Sequence, residues 1–259
     1  MDEFRDRFGS AGAAKVLEGQ VVDADGTVLD ADSIVAPGAH VYLYRDLPDE
    51  VPVPFDLPVL YRDGNIVVVD KPHFLATMPR GRHVAQTALV KLRRELNLPD
   101  LSPAHRLDRL TAGVLLFTAR REVRGSYQTL FANGQVRKTY VAVAAKDVDG
   151  PIVVRNRIIK RRGCLQAVIE PGEPNAETVV EPLGNGRHRL TPRTGRTHQL
   201  RVHMASVGAP INGDPLYPKV IDVAPDDFST PLQLIAHSLE FDDPLSGVRH
   251  RFVSGRVLS

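Results

Sequence analysis

The stretch PAHRLDRLTAGVLLFT, residues 103–118, constrains this chain more than any other. Val114, Leu115, Leu116 and Phe117 are apolar without interruption, so a strand built from them has to be covered on both faces. Just before them one carboxylate, Asp108, stands between Arg106 and Arg109. A charge at the mouth of a buried strand is costly unless it is paired or used for chemistry. A lone Asp in an arginine-rich loop reads first as a cap or an ion pair. Its position raises the chemical reading, because a loop-to-strand junction is where a rigid sheet presents a side chain into a cleft. A neighbouring guanidinium would keep it ionised, as a nucleophile or as a stabiliser of positive charge at a sugar carbon.

The remaining pattern is strand-rich. VLYRDGNIVVVDKP reads as two strands around Asp63-Gly64, ending at Lys71. Ala85, Leu89, Leu92 and Leu96 recur at helical spacing, which predicts a helix over about 83–97. Val123, Tyr127, Leu130 and Phe131 predict another, stopped at Gly134. Short strands are expected near 137–145, 151–158, 164–170, 176–183 and 187–193, with a turn at Gly184-Asn185-Gly186, and a further helix over 196–207. The expected fold is therefore α+β, a mixed and mostly antiparallel sheet with flanking helices. The proline-rich passage DLPDEVPVPFDLP, 46–58, reads as a linker. It sets off residues 1–50, an accessory segment of short strands around Asp25-Gly26, from a main domain over 56–259.

Charge is segregated along the chain. Residues 71–203 hold 24 Lys plus Arg against 10 Asp plus Glu, while the flanks are acidic and the whole chain carries only +2. The basic residues come in bursts, among them Arg80 with Arg82 and the run RNRIIKRR at 155–162, which ends in Arg161 and Arg162. Any one burst is an ordinary solvated face, but the segregated whole is suited to a polyanion, and RNA or DNA is the expected partner. No apolar run approaches the ~18 residues that span a bilayer, and the start MDEFRDRFGS is charged where a secretion signal would be apolar. A cytoplasmic monomer without membrane attachment or obligate protein partner is expected. The single cysteine, Cys164, excludes an internal disulfide and reads as a buried small apolar residue.

Two further segments carry candidate chemistry. In RTGRTHQLRVH, 193–203, His198 and His203 are five apart, which does not place two imidazoles on one helix face, and adding His188 does not make a metal site. Thr194, Gly195, Arg196 and Thr197 read instead as a tight turn into a helix, directing N–H groups and Arg196 at an anion, either a phosphate or Asp108. In RKTYVAV, Tyr140 is either a core aromatic or, beside a nucleic-acid site, a residue that stacks on a base or moves a proton.

HRLDRLTAGVLLF, together with YRDGNIVVVDKP, RKTYVAV, GRTHQLRVH, GAPINGDPLY and LIAHSLEF, resembles the RluA-type family of RNA pseudouridine synthases, in order from about residue 56 to the end. The resemblance implies the pseudouridine synthase catalytic fold, no cofactor, and a uridine in structured rRNA or tRNA as substrate. It implies that Asp108 is catalytic, that Tyr140 packs against the target base, that Arg196 pairs with the carboxylate, and that Arg106 fills the gap left by a flipped-out nucleotide. Lys71, His105, Arg109, Thr197, His198, Arg201, Arg161 and Arg162 are the further expected RNA contacts. The family pattern DKPxG is DKPHF here and TSG is TAG, so His73, Phe74 and Ala112 are expected to alter loop shape and substrate choice. Residues 15–45 resemble the later strands of an S4-like RNA-binding unit, with its helices short or absent. The competing readings are a nucleoside or glycosidic-bond hydrolase, which usually needs two carboxylates, and a non-catalytic RNA-binding protein.

Overall fold

The two apolar runs of the sequence become neighbouring strands at the heart of the molecule. A computed structural model describes residues 2–43, 49–81 and 83–258, so Arg82 and the start of the linker, 46–48, lie outside the described residues. The chain forms two units, Met1–Asp49 and Glu50–Ser259.

The first unit contains α1 (Asp2–Leu17), with a non-helical Gly9 inside it, and an antiparallel pair, β1 (Val21–Val22) and β2 (Tyr42–Leu43). Gly9 divides this helix into two short pieces. Gly9 and Gly12 interrupt DEFRDRFGSAGAAKVL, which lacks a regular apolar stripe, so periodicity had nothing to detect.

The second unit is built on one large sheet. Its strands are β3 (Val59–Arg62), β4 (Ile66–Lys71), β5 (Ser102–Pro103), β6 (Ala112–Thr118), β7 (Arg137–Val143), β8 (Ile152–Ile159), β9 (Val168–Glu170), β10 (Ala176–Gly184), β11 (Arg187–Pro192), β12 (Leu234–Asp242) and β13 (Arg249–Val253). The order is β3-β4-β6-β12-β7-β11-β10-β8-β9, with β13 on β12 and β5 on β6. Every pairing between these strands is antiparallel except that of β6 with β12, which gives the mixed, mostly antiparallel α+β fold. Strands β12 and β13 escaped the sequence reading although β12 is central to the sheet.

Why β4 and β6 are apolar throughout is now plain. Val67, Val69, Leu115 and Phe117 enter one core with Leu89 and Leu92 of α2 (Ala88–Glu95). Ile66, Val68, Val114 and Leu116 enter a second core with Tyr127 and Leu130 of α3 (Arg124–Ala132). Helix α2 starts later than its periodicity suggests. Thr87 caps it, and the N–H groups of Val84, Ala85 and Gln86 donate instead to the Glu50 carboxylate at 2.8, 2.6 and 2.9 Å. At the other end, Asp70 accepts from Ser254 Oγ at 2.8 Å and Gly255 N at 2.9 Å, fastening the C-terminal segment to β4.

The parallel contact is short and tight. Ile235 and Ala236 of β12 pair with Ala112 and Gly113 of β6, and Ala236 also pairs with Tyr140 of β7. Gly113 has φ +111°, and a Cβ there would lie 2.2 Å from Ala236 O. A side chain is excluded both by conformation and by space. Gly113→Ala should therefore cost on the order of 3 kcal/mol or more, read as a fall in thermal midpoint or loss of soluble protein; an unchanged melt would contradict this packing.

Candidate active site

The loop before β6 is held from below by buried side chains. Thr77 Oγ1 donates to Leu107 O at 2.8 Å and accepts from Leu107 N at 3.1 Å. His73 Nδ1 lies 2.8 Å from Leu110 O, so that nitrogen carries the proton. Lys71 is wholly buried, and its Nζ donates to Pro72 O, Leu75 O and Arg109 O at 3.0, 2.8 and 3.3 Å. Three acceptors match the three hydrogens of an ammonium. Burial pushes the Lys71 pKa down to about 7, and the nearby Asp108 charge opposes that fall. Lys71, expected to touch RNA, is thus spent beneath the loop. His105 is likewise turned inward: its Nε2 accepts from Leu116 N at 3.2 Å and its ring stacks on Phe131.

On this support Asp108 is about one-third exposed. The expectation that Arg196 pairs with it is corrected. Arg196 is exposed, with its Nε donating to Asn175 O at 3.1 Å, whereas Nη1 of Arg201 lies 3.8 Å from Asp108 Oδ2. The cause is the helix start. The RTGRTH turn ends at His198, left-handed at φ +59°, and only then does α4 (Gln199–Ser206) begin. Arg196 is left on the outer turn, while Arg201, the third residue of the helix, points inward. Gln199 fixes the turn, its Oε1 accepting from Thr194 Oγ1 and Arg196 N and its Nε2 donating to Glu177 O and Thr178 Oγ1.

Arg201 was expected as an RNA contact, but its side chain is buried. It forks onto Asp214, with Nε to Oδ2 at 2.8 Å and Nη2 to Oδ1 at 2.6 Å. Its guanidinium also lies 5.3 Å from the centre of the Tyr217 ring. Tyr217 OH accepts from Ala167 N at 2.7 Å, donates to Ala167 O at 3.0 Å and lies 2.9 Å from His198 Nδ1. Asp214 and Tyr217 were not singled out in the sequence, although a carboxylate in the apolar stretch GAPINGDPLY was a usable signal.

Tyr140, half-buried on β7, completes the group, and burial followed by the Asp108 charge pushes its phenol well above the usual range. It is a protonated ring at neutral pH. Arg106 is exposed and, among the described residues, forms no hydrogen bond or ion pair. Arg109 Nη1 donates to Phe74 O at 3.4 Å. Phe74 occupies the glycine place of DKPxG and has φ +65°, a conformation that strains a bulky residue and is offset here by packing with Phe55 and Phe228. Thr197 is half-buried in the turn. Arg161 pairs with Glu170 and Arg155 with Glu177, leaving Arg157 and Arg162 as exposed guanidinium groups of the basic run. Cys164 is exposed at the end of that run, not buried as expected.

Residues 65–206 match the family model described as RNA pseudouridylate synthase. The chain belongs to the RluA-type RNA pseudouridine synthases. It is 35% identical over 183 residues to mouse pseudouridylate synthase RPUSD2, covering 68% of this chain and 32% of that protein, so it spans about a third of the mouse relative's length. It is 29% identical over 255 residues to ribosomal large subunit pseudouridine synthase D of Pseudomonas aeruginosa, covering 89% of this chain and 78% of that one. The structure of human RNA pseudouridylate synthase domain containing 4 matches with TM-score 0.58 at 26% identity, over 78% of this chain and 88% of that chain. Among the described residues no helix is long and apolar enough to cross a membrane.

Three inward-turned histidines, His203 buried and His73 and His105 half-buried, give a testable acid response. Burial lowers His105 to about 3 and His73 and His203 to about 4. The unfolded chain, with imidazoles near 6.5, therefore binds more protons between about 4 and 6.5, and stability present above that window is lost as pH falls through it. The thermal midpoint should drop by roughly 5 °C or more between pH 7.5 and 5.0; a flat melt would contradict neutral imidazoles at these positions.

Proposed function

We propose that the chain isomerises a uridine in structured rRNA or tRNA to pseudouridine, with Asp108 as its catalytic carboxylate. The observation that carries this reading is the convergence of an ionisable, partly exposed Asp108 with buried Arg201 and the protonated ring of Tyr140, on a chain of this family. In the reaction the bond from C1′ to N1 breaks, the base turns, and C1′ joins C5. N1 gains a proton and C5 loses one, so neither water nor an electron donor is consumed. One carboxylate suits a base that is kept and rejoined, whereas hydrolysis usually calls for a second as acid.

Each group has a distinct task in this account. Arg201 offers one N–H toward Asp108 and keeps positive charge beside the carboxylate. Tyr140 gives a flat, proton-bearing surface against the target base. The base must leave its stack before C1′ is reachable, and exposed Arg106, two residues from Asp108, is placed to occupy the vacated position. The basic middle of the chain holds the phosphates.

RNA carrying tritium at uridine C5 tests the reading. The wild-type protein should release tritium from rRNA or tRNA of its host and leave the strand intact, and Asp108→Asn should lower the rate by about 10³-fold or more. Free uracil would establish a hydrolase, and binding without release a non-catalytic RNA-binding protein. Arg157→Ala and Arg162→Ala should each weaken binding and reduce the log–log salt slope by about 1, whereas paired Arg155 and Arg161 should change it less. Unchanged slopes for Arg157 and Arg162 would remove the run from the interface.

A further inference from the structure

Behind Arg201 lies a second carboxylate, this one fully buried, that the reaction scheme does not use. The Asp214 side chain is fully buried and holds both Nε and Nη2 of Arg201. Its Oδ1 also accepts from the N–H groups of Leu216 and Tyr217 at 2.8 and 3.2 Å, so it is fixed to the backbone that follows it. Gly213 delivers it there: at φ +71°, a Cβ would lie 2.4 Å from Pro231 O, so the chain passes where only glycine fits. Tyr217, three residues on, lies against the guanidinium that Asp214 grips.

We infer that Asp214 is a positioning residue for the reaction: it takes two of the three nitrogens of Arg201, so that only Nη1 faces Asp108, at a fixed station 3.8 Å away. This rests on the proposed role of Asp108. A guanidinium released from Asp214 would close on Asp108 as a fork, because bidentate pairing is the strong geometry for arginine and carboxylate. That fork would occupy the oxygens that have to meet substrate. By competing for the cation, Asp214 leaves Asp108 charged but uncommitted. Other charged or titratable groups around Asp108 are Lys71, tied to three carbonyls, Tyr140, His198 and Tyr217, and Arg106 and Arg109 of its own loop. None of them supplies a second carboxylate that could take over the grip on Arg201.

The test is a double-mutant cycle in tritium release joined to crystal structures of the variants. Asp214→Asn should lower kcat tenfold or more with KM within threefold, and in an Arg201→Met background it should change kcat by less than twofold, since Asp214 acts through Arg201. Its structure should show the Arg201 guanidinium moved onto Asp108. Wild-type kcat in folded Asp214→Asn, a loss confined to KM, a full further loss in the Arg201→Met background, or an unmoved Arg201 would each overturn the inference. Should Asp214→Asn alone not fold, the double variant decides by comparison with Arg201→Met, because replacing both members of a buried ion pair is better tolerated than removing one. If the wild type releases no tritium, the proposed reaction fails, and the position of Arg201 in the variant structure still decides this claim.

Discussion

The short parallel contact between β6 and β12 is the joint on which the molecule depends. On one side of it lie β3, β4 and β6 with α2 and α3; on the other lie β7, β11, β10, β8 and β9 with α4. Only two residue pairs make the contact, Ala112 with Ile235 and Gly113 with Ala236. Through Ala236 the loop end of β6 is set beside Tyr140 on β7. Asp108 and Tyr140 come from different parts of the sheet, and their neighbourhood is a consequence of that register. The backbone approach at Gly113 is close enough that a methyl group has no place, which makes the joint rigid as well as short.

From that joint the site is built as an alternation of charge. Lys71 is buried under the loop, Asp108 stands above it, Arg201 lies beyond, and Asp214 closes the series. Each buried ion has its hydrogen-bond partners, which is the condition for carrying charge in a low-dielectric interior. The basic burst at 155–162 is different in kind. Some of its guanidinium groups are paired with carboxylates on neighbouring strands, and others face solvent, so its charge cannot be counted as one interface.

How much of this could be read beforehand follows from the physics of each element. The β4 and β6 runs, the α3 stripe and the Gly184-Asn185-Gly186 turn were legible because local pattern and burial agree there. β12 was not, since it is buried almost throughout without alternation and its place between β6 and β7 depends on a distant pairing. Asp108 stood out because it precedes a continuously apolar strand. The choice between Arg196 and Arg201 lay beyond local pattern. It turns on a left-handed His198 that delays the helix and decides which arginine faces inward. Lys71, at a strand end, was expected to touch RNA, and only its three carbonyl partners show otherwise.

The central claim, that Asp108 meets the reacting nucleotide, is tested most directly by a structure of the protein bound to its RNA. The account predicts an extruded uridine lying against Tyr140, with a carboxylate oxygen of Asp108 about 3–3.5 Å from an atom of its sugar or base and Arg106 in the vacated stack. A uridine still stacked in the RNA, or one whose sugar and base lie beyond contact with Asp108, would contradict it.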